Sequence, residues 1–497
     1  MPEYLSPGVF VEEVPSAIQP IAGVSTSTAA FVGVVPDQIR MVEESRDYDP
    51  TKKTDLATKT NLKYRTWVFP YDETTKAWTD ARDALKQLTD DSSRPPRPKQ
   101  GTKPDDYRAA QAAFARENAR LLAGEMAPKG NPVLCTTFTD FKKNFGGFSA
   151  DGLPNAPAGA APAGAGPAAA GAAGAAASTS FQNQLAHAVF GFFENGGTRC
   201  WVMRYPTLKE LQDPEALVPF EAIDEISLVA APGIVDPTGN VQNNIIDHCE
   251  KMADRFAILD GPEAPADFTE QAIKVPARNT KFGAIYFPWI KVFDSATALL
   301  DDDSDGEISI PPSGHVAGIY SRVDHERGVH KAPANEVVRN AIGVEPHLSR
   351  NQQDGLNPYG INCIRFIDEG IKVWGARTIG GDANGDLKYV NVRRTLLFLE
   401  KSIDHGTQWV VFEPNDRTLW AKIVRNVSAF LTTVWRDGAL FGSTPQEAFY
   451  VKCDDETNPP EERDLGRVTT EIGVAIVRPA EFVIFRISQW AGPQGQQ

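Results

Sequence analysis

Apolar residues recur with two periods along this chain, and the switching between them outlines its organisation. STAAFVGVVP (27–36) is a short apolar run closed by Gly33 and Pro36, the pattern of a buried strand. From Phe181 onward strand-like and helix-like stretches alternate. QLAHAVFGFFENG and NNIIDHCEKMADR carry helical spacing, whereas CWVMRY, ISLVAAPG, FAILDGP and KFGAIYFPWIKV read as strands. Strand–helix–strand order with near-continuous apolar strands predicts an α/β layer with a partly parallel sheet. Further on, GINCIRFIDEGIKVWGARTI precedes two helical stretches, VRRTLLFLEKSIDHG and NDRTLWAKIVRNVSAFLTTVWRDGAL, and IGVAIVRPAEFVIFRISQW closes the pattern.

Two segments break it. Residues 37–130 are densely charged, and TTKAWTDARDALKQLTD and DDYRAAQAAFARENARLLAGEM are helical but polar nearly all round, as expected of a peripheral insertion. Residues 152–180 form an uncharged Ala/Gly/Pro tract whose prolines and glycines oppose helix, so a flexible surface loop is expected. The predicted fold class is therefore α/β (α+β) and multidomain. Residues 1–27 would be an arm and tether, 28–36 a first core strand and 37–130 a mainly helical surface insertion. An α/β domain over 131–356 would come next, then a C-terminal domain over 357–497 with a terminal strand at 480–488.

The ends of the chain raise the main question. SPGVFVEEVP (6–15) is strand-like and apolar at Val9, Phe10, Val11 and Val14, with Leu5 just before it. SAIQPIAGVSTSTA (16–29) after it is a polar, Pro-broken tether, not a two-residue turn, so no hairpin partner is expected. At the other end Phe482 and Ile484 alternate with Val483, Phe485 and Ile487, a strand apolar on both faces. An unpaired strand exposes a row of backbone donors and acceptors, which is hazardous unless a partner is intended. A strand of about six residues spans roughly 20 Å, and a tether from Pro15 to Ser27 extends to about 40 Å. Backbone pairing at about 1 kcal/mol per bond is offset by ordering at about 1–2 kcal/mol per residue. Burial of Val9, Phe10 and Val11, at about 1.5–3 kcal/mol each, then tips the balance toward docking on another sheet.

Charge and cysteine usage narrow the function. With 50 basic and 65 acidic residues the formal net charge is −15, which argues against a dedicated nucleic-acid binder. Five dispersed cysteines without CxxC spacing suit reduced thiols of a cytoplasmic protein. No signal-like segment opens the chain and no run of about 18 apolar residues occurs, so neither export nor membrane insertion is expected. Against this acidic background the stretch from about Asp416 to Asp437 stands out. Leu419, Ile423, Val427, Phe430 and Val434, with Trp420, Val424 and Leu431, share one face of the expected helix. Lys422, Arg425 and Arg436 fall within roughly a 60° arc on the opposite face.

Candidate catalytic chemistry is thin. GxxxxGK, GxGxxG after a strand, GxSxG and HExxH are all absent. His325 and His330 are off helical ligand spacing, and His248 beside Cys249 reads as a core histidine. DDDSDGEISIPP places Asp301, Asp303, Asp305 and Gly306 like half a calcium loop, but Pro312 stands where the bidentate Glu belongs. Arg377, Arg393 and Arg394 read as partners for carboxylates in an interdomain or intersubunit seam rather than as phosphate clamps. No enzyme, cofactor or metal is expected. An α/β nucleotide-binding enzyme starting at ISLVAAPG is an alternative that lacks the glycine fingerprint.

The ordered succession YLSPGVFVEE, STAAFVGVVP, TDFKKNFGGF, FFENGGTRCWVMR, YFPWIKV, PPSGHVAGIYSRVDHERGVHKAPAN, LNPYGINCIRF, GIKVWGARTI, VNVRRTLLFLEKSI, VVFEPNDRTLW and RPAEFVIFRISQ resembles the contractile-tail sheath proteins of phages and phage-tail-like injection particles. The likeness covers about 1–36, 131–150 and 181–490. It implies a structural subunit whose hexameric rings stack helically around an inner tube, attached to baseplate and terminator proteins, and which shortens to drive the tube through an envelope. It also implies that the terminal strands are exchanged between neighbours, and that the helix bearing Lys422, Arg425 and Arg436 faces the tube. A different tail or particle component (tube, baseplate or capsid) is the alternative within the same class.

Overall fold

The computed structural model describes residues 20–45, 63–90, 97–121, 124–149, 180–236, 238–274, 278–300, 305–482 and 484. Its centre is a nine-stranded sheet. In spatial order the strands are Glu336–Val337, Gly370–Trp374, Ile361–Ile367, Gly283–Phe287, Phe256–Asp260, Leu228–Ala230, Ala29–Val34, Cys200–Tyr205 and Val133–Cys135. The six strands from Ile361–Ile367 to Cys200–Tyr205 run parallel, and antiparallel strands close both edges. The strand Ala29–Val34 is buried at every position, between Leu228–Ala230 and Cys200–Tyr205. Its unbroken apolar run is what burial on both faces demands.

Two helices, Phe181–Glu194 and Ser313–Glu326, pack against each other beside this sheet. Their approach requires glycine: a Cβ on Gly314 would lie 2.3 Å from the Ala188 carbonyl oxygen. The Ser313–Glu326 helix starts on Asp260, whose carboxylate accepts the Ser313 N–H (2.8 Å), the Ser313 hydroxyl (2.7 Å) and the Gly233 N–H (3.1 Å). Burial pushes this carboxyl up to about 6 against those hydrogen bonds. KFGAIYFPWIKV, which reads as a strand, divides at Pro288. Gly283–Phe287 enters the large sheet, and Trp289–Phe293 is the middle strand of a separate three-stranded sheet with Glu307–Ile310 and Gly343–Glu345.

A second, smaller core lies in the C-terminal part. It is built on Leu399, Leu419, Trp420, Ile423, Val427, Phe430, Leu431 and Val434, with Leu440 and Ala448. It gathers the helices Val390–Thr407 and Arg417–Arg436 over a two-stranded antiparallel sheet, Phe449–Lys452 with Glu471–Val474.

Three expectations change. The hairpin Ile361–Ile367/Gly370–Trp374 belongs to the central sheet, so a domain boundary at 356/357 would cut that sheet, and the C-terminal core starts later. The segment 37–130 is not only peripheral helix. A hairpin of Ile39–Glu44 with Tyr64–Phe69 sends Ile39, Met41 and Phe69 into the main core, because its apolar positions alternate with polar ones at period two. The helices Lys76–Leu88 and Pro104–Leu121 do form there and pack together, Trp78 against Phe114. Finally, Phe482 and Ile484, expected in a terminal strand at 480–488, are outside any strand and largely exposed.

Candidate assembly interface

The first described residues, from Pro20, are held on the C-terminal core. Ile21 sits so tightly over the helix Val390–Thr407 that a Cβ on Gly406 would come within 2.6 Å of its side chain. The Val24 N–H donates to the Ser402 hydroxyl (3.1 Å), and the Thr26 hydroxyl donates to Asp324 (2.6 Å). The Thr26 carbonyl accepts from Arg394 (2.9 Å), and the Ser25 carbonyl accepts from the Ser227 hydroxyl (3.1 Å). Residues 20–27, expected as tether, are thus a fixed root. Only Pro15–Gln19 remain between the root and the apolar segment, which extends about 17 Å rather than about 40 Å. Leu5, Val9, Phe10, Val11 and Val14 lie outside the described residues.

This root is part of the seam that the arginine-rich segments suggested. Arg394 makes two parallel hydrogen bonds to Asp324 (2.9 and 2.6 Å), with both side chains almost wholly buried. Its guanidinium lies 4.7 Å over the Tyr320 ring. Burial works against this cation, but the Asp324 carboxylate outweighs it and raises the Arg394 pKa. Arg393 stacks on Phe282 at 4.1 Å, and Lys401 bonds Asp254 at 2.8 Å. All four contacts join the helix Val390–Thr407 to the central sheet's surroundings.

The exit of the chain is fixed in the same manner. Glu481 accepts two bonds from Arg377 (both 2.8 Å), one from Asn357 (2.8 Å) and one from the Tyr389 hydroxyl (2.9 Å). Burial alone would raise its carboxyl, but these donors bring it below the ordinary value. Immediately beyond, Phe482 and Ile484 are 71% and 78% exposed. Val483, Phe485 and Ile487 lie outside the described residues. An anchored carboxylate is thus followed directly by two bare apolar side chains.

The two-stranded sheet of the C-terminal core has a second edge. The register pairs Phe449 with Val474 and Lys452 with Glu471, and Ala475 donates to Ala448. Gly473 and Ala475 therefore turn their backbone groups toward Phe449–Lys452. Farther along, Val477 donates to Ala439 and Phe441 donates to Ala475 on that same side. The N–H and C=O groups of Ile472, Val474 and Ile476 point the other way, and among the described residues no backbone group pairs with them. Their side chains are half-buried on the C-terminal core, so an added strand would extend an apolar floor. The alternation of Ile472, Val474 and Ile476 was visible in the sequence. That they line the edge away from Phe449–Lys452 required the register.

The basic helix forms over Arg417–Arg436, with the Asp416 carboxylate capping the Leu419 N–H at 2.8 Å. Leu419, Trp420, Ile423, Val427, Phe430, Leu431 and Val434 are buried as expected, while Val424 is half-buried. Lys422 is half-buried at the margin, and Arg425 and Arg436 are exposed among Thr418, Ala421, Ala429 and Thr433. The exposed face is cationic between small side chains. Other candidates go elsewhere. His248 is a core residue bonded to Arg255 (3.2 Å), its pKa lowered to about 4 by burial and that cation. Asp305 is exposed, Asp301 and Asp303 lie outside the described residues, and no cluster fit for a metal occurs among the described residues. No described helix is long and apolar enough to cross a membrane.

Two family models match the chain, the phage tail sheath protein central domain over residues 215–379 and the phage tail sheath C-terminal domain over 382–489. The chain belongs to the phage tail sheath family. The tail sheath protein of Burkholderia phage BcepMu is 28% identical over 265 residues, 50% of this chain and 53% of that protein. This chain thus spans about half the length of that curated relative. Among solved structures, the fold is similar to the helical sheath of the anti-feeding prophage in its contracted state, with TM-score 0.60, 24% identity and coverage of 98% of this chain and 100% of that one. It is similar also to the sheath of an extracellular contractile injection system, PVC, in its contracted state, with TM-score 0.60, 22% identity and coverage of 98% and 99%. The boundary between the two family models agrees with the hairpin Ile361–Trp374 belonging to the central sheet.

Proposed function

We propose that this sheath-family chain is a structural subunit, not an enzyme, that polymerises helically around an inner tube and contracts to drive that tube through a target envelope. The observation that carries the reading is the edge at Ile472–Ile476, unpaired among the described residues, in a chain with apolar segments near both ends. An edge of this kind is completed by β-augmentation. Val9, Phe10 and Val11 of one neighbour, and Phe482, Ile484 and the residues after them from another, are the strands that fit it. Each subunit's sheet is then finished by other copies, so the polymer stays connected while its subunits move.

In this reading Lys422, Arg425 and Arg436 face the tube. A sheath has to hold its tube and release it on widening, and exposed, salt-screened ion pairs suit that task better than a dry apolar seam. Baseplate and terminator proteins would bound the polymer, and assembly would take place in the cytoplasm. Neither nucleic acid nor a membrane is a partner. Negative-stain microscopy of the purified chain, alone and with its tube protein, tests the function. Striated hollow cylinders are the expected result, and discrete particles under all conditions would overturn it.

A further inference from the structure

Phe412 occupies an unusual position. Its side chain is fully exposed, with a relative exposure of 102%, and its backbone holds a φ of +68°. A bulky residue rarely adopts that left-handed conformation, so the surroundings must impose it. They do: Val411 and Glu413 donate backbone bonds to Gln408 and Val410, Asn415 bonds the Arg467 carbonyl and the Trp420 indole, and Asp416 caps the next helix. The loop is pinned on both sides, and the ring, with Val411 exposed beside it, is presented to the outside.

A receiving surface exists on another part of the same chain. Between the hairpin Ile361–Trp374 and the segment Val477–Phe482 lies a groove of about 970 Å³, walled by Phe366, Trp374, Ala376 and Phe482. Phe366 and Trp374 are 61% and 38% exposed there, an apolar lining open to water. Arg350 and Arg365 stand in the same groove. Next to Phe412 is Glu413, exposed and without an ion pair among the described residues, as is Arg350. An apolar knob beside an anion thus has, elsewhere on the chain, an apolar groove beside cations as its counterpart.

We propose that Phe412 of one copy inserts into the Phe366/Trp374 groove of a neighbouring copy, with Glu413 paired to Arg350. Knob and groove lie at different places on one chain, so the contact is heterologous and passes from copy to copy, building an open polymer rather than a closed dimer. Rigid, pre-positioned aromatics are the residues that dominate such contacts. The proposal rests on the self-assembly described above and adds a side-chain contact that adjoins the start of the C-terminal segment.

Two measurements on the full chain test it. In Phe412→Gly the ring is lost but the left-handed backbone is relieved, so thermal stability should hold or rise while the concentration needed for polymerisation rises about tenfold. A ring that only stabilised the fold would lower the thermal midpoint instead, which would overturn the proposal. In the second, Phe412→Cys subunits are mixed with Phe366→Cys subunits and oxidised. A disulfide-linked dimer appearing only in the mixture supports the contact. Normal copolymers without it, or Phe412→Cys crosslinking to tube protein instead, overturn the contact and leave self-assembly standing. Failure of the wild-type chain to polymerise at all would overturn both.

Discussion

Two carboxylates, half-buried Glu481 and buried Asp260, show how single residues serve this molecule in opposite ways. Glu481 gathers four donors, and its lowered pKa means that its stabilising contribution is present above about pH 4.5 and lost as pH falls through the lower folded value. The chain's exit should therefore stay anchored at neutral and mildly acid pH. Glu481→Gln removes a charge-assisted pair and should increase proteolysis near 478–482 while changing global stability by no more than about 2 kcal/mol; an unaltered cleavage pattern would show that the anchor is not needed. Asp260 is the reverse case. Its folded pKa of about 6 lies above the ordinary 3.8, so its contribution is complete below about pH 4 and is lost as pH rises through about 6. Comparing thermal midpoints of wild type and Asp260→Asn between pH 4 and 7 should reveal a decline in wild type, of up to roughly 3 kcal/mol, that the variant lacks. Parallel curves would refute this assignment.

At the level of elements, the strand edge at Ile472–Ile476 and the cationic helix face make separable predictions. The Val474 N–H faces away from Phe449–Lys452 and has no backbone partner among the described residues, so Val474→Pro removes a donor that no described part of the subunit uses. The monomer should fold with an unchanged circular dichroism spectrum and fail to form long cylinders. Normal cylinders would place strand addition elsewhere. For the helix Arg417–Arg436, reversing Lys422 and Arg425 to Glu should leave folding and strand exchange intact and abolish extended, tube-filled particles. Wild-type attachment to tube should weaken with added salt. Extended particles from the double reversal would mean that the face merely meets water.

For the whole molecule, the fixed root at Pro20–Thr28 sets how the arm can act. Arg394, Asp324 and Ser402 hold it at the seam between the central sheet's surroundings and the C-terminal core. Deleting residues 1–19 should leave a folded monomer without long cylinders, whereas deleting 1–27 should also destabilise the seam and lower the thermal midpoint. Equal stability of the two truncations, measured by scanning calorimetry, would show that the root carries no load.

Local pattern determined most elements of this protein. The alternation of apolar runs and helical stretches, the buried face of Arg417–Arg436 and the carboxylate pairing of Arg377 and Arg394 were legible from short-range periodicity and charge, whereas Arg393 meets the Phe282 ring and not a carboxylate across the seam. The sheath resemblance lay in the same blocks. What the pattern could not decide were long-range pairings. Nothing local to Ile361–Trp374 says that it completes a sheet begun at Ala29, nor that KFGAIYFPWIKV divides between two sheets at Pro288. The Ile39–Phe69 hairpin was hidden by charges that alternate with its core residues. Ile21 and Thr26 look like tether until a helix nearly four hundred residues away presents Gly406 and Arg394 to them. That the backbone groups of Ile472, Val474 and Ile476 face away from Phe449–Lys452, unpaired among the described residues, follows only from strand register. Side-chain period is a property of neighbouring residues, whereas register, burial of a root and the direction a strand edge faces belong to contacts between segments far apart in the chain.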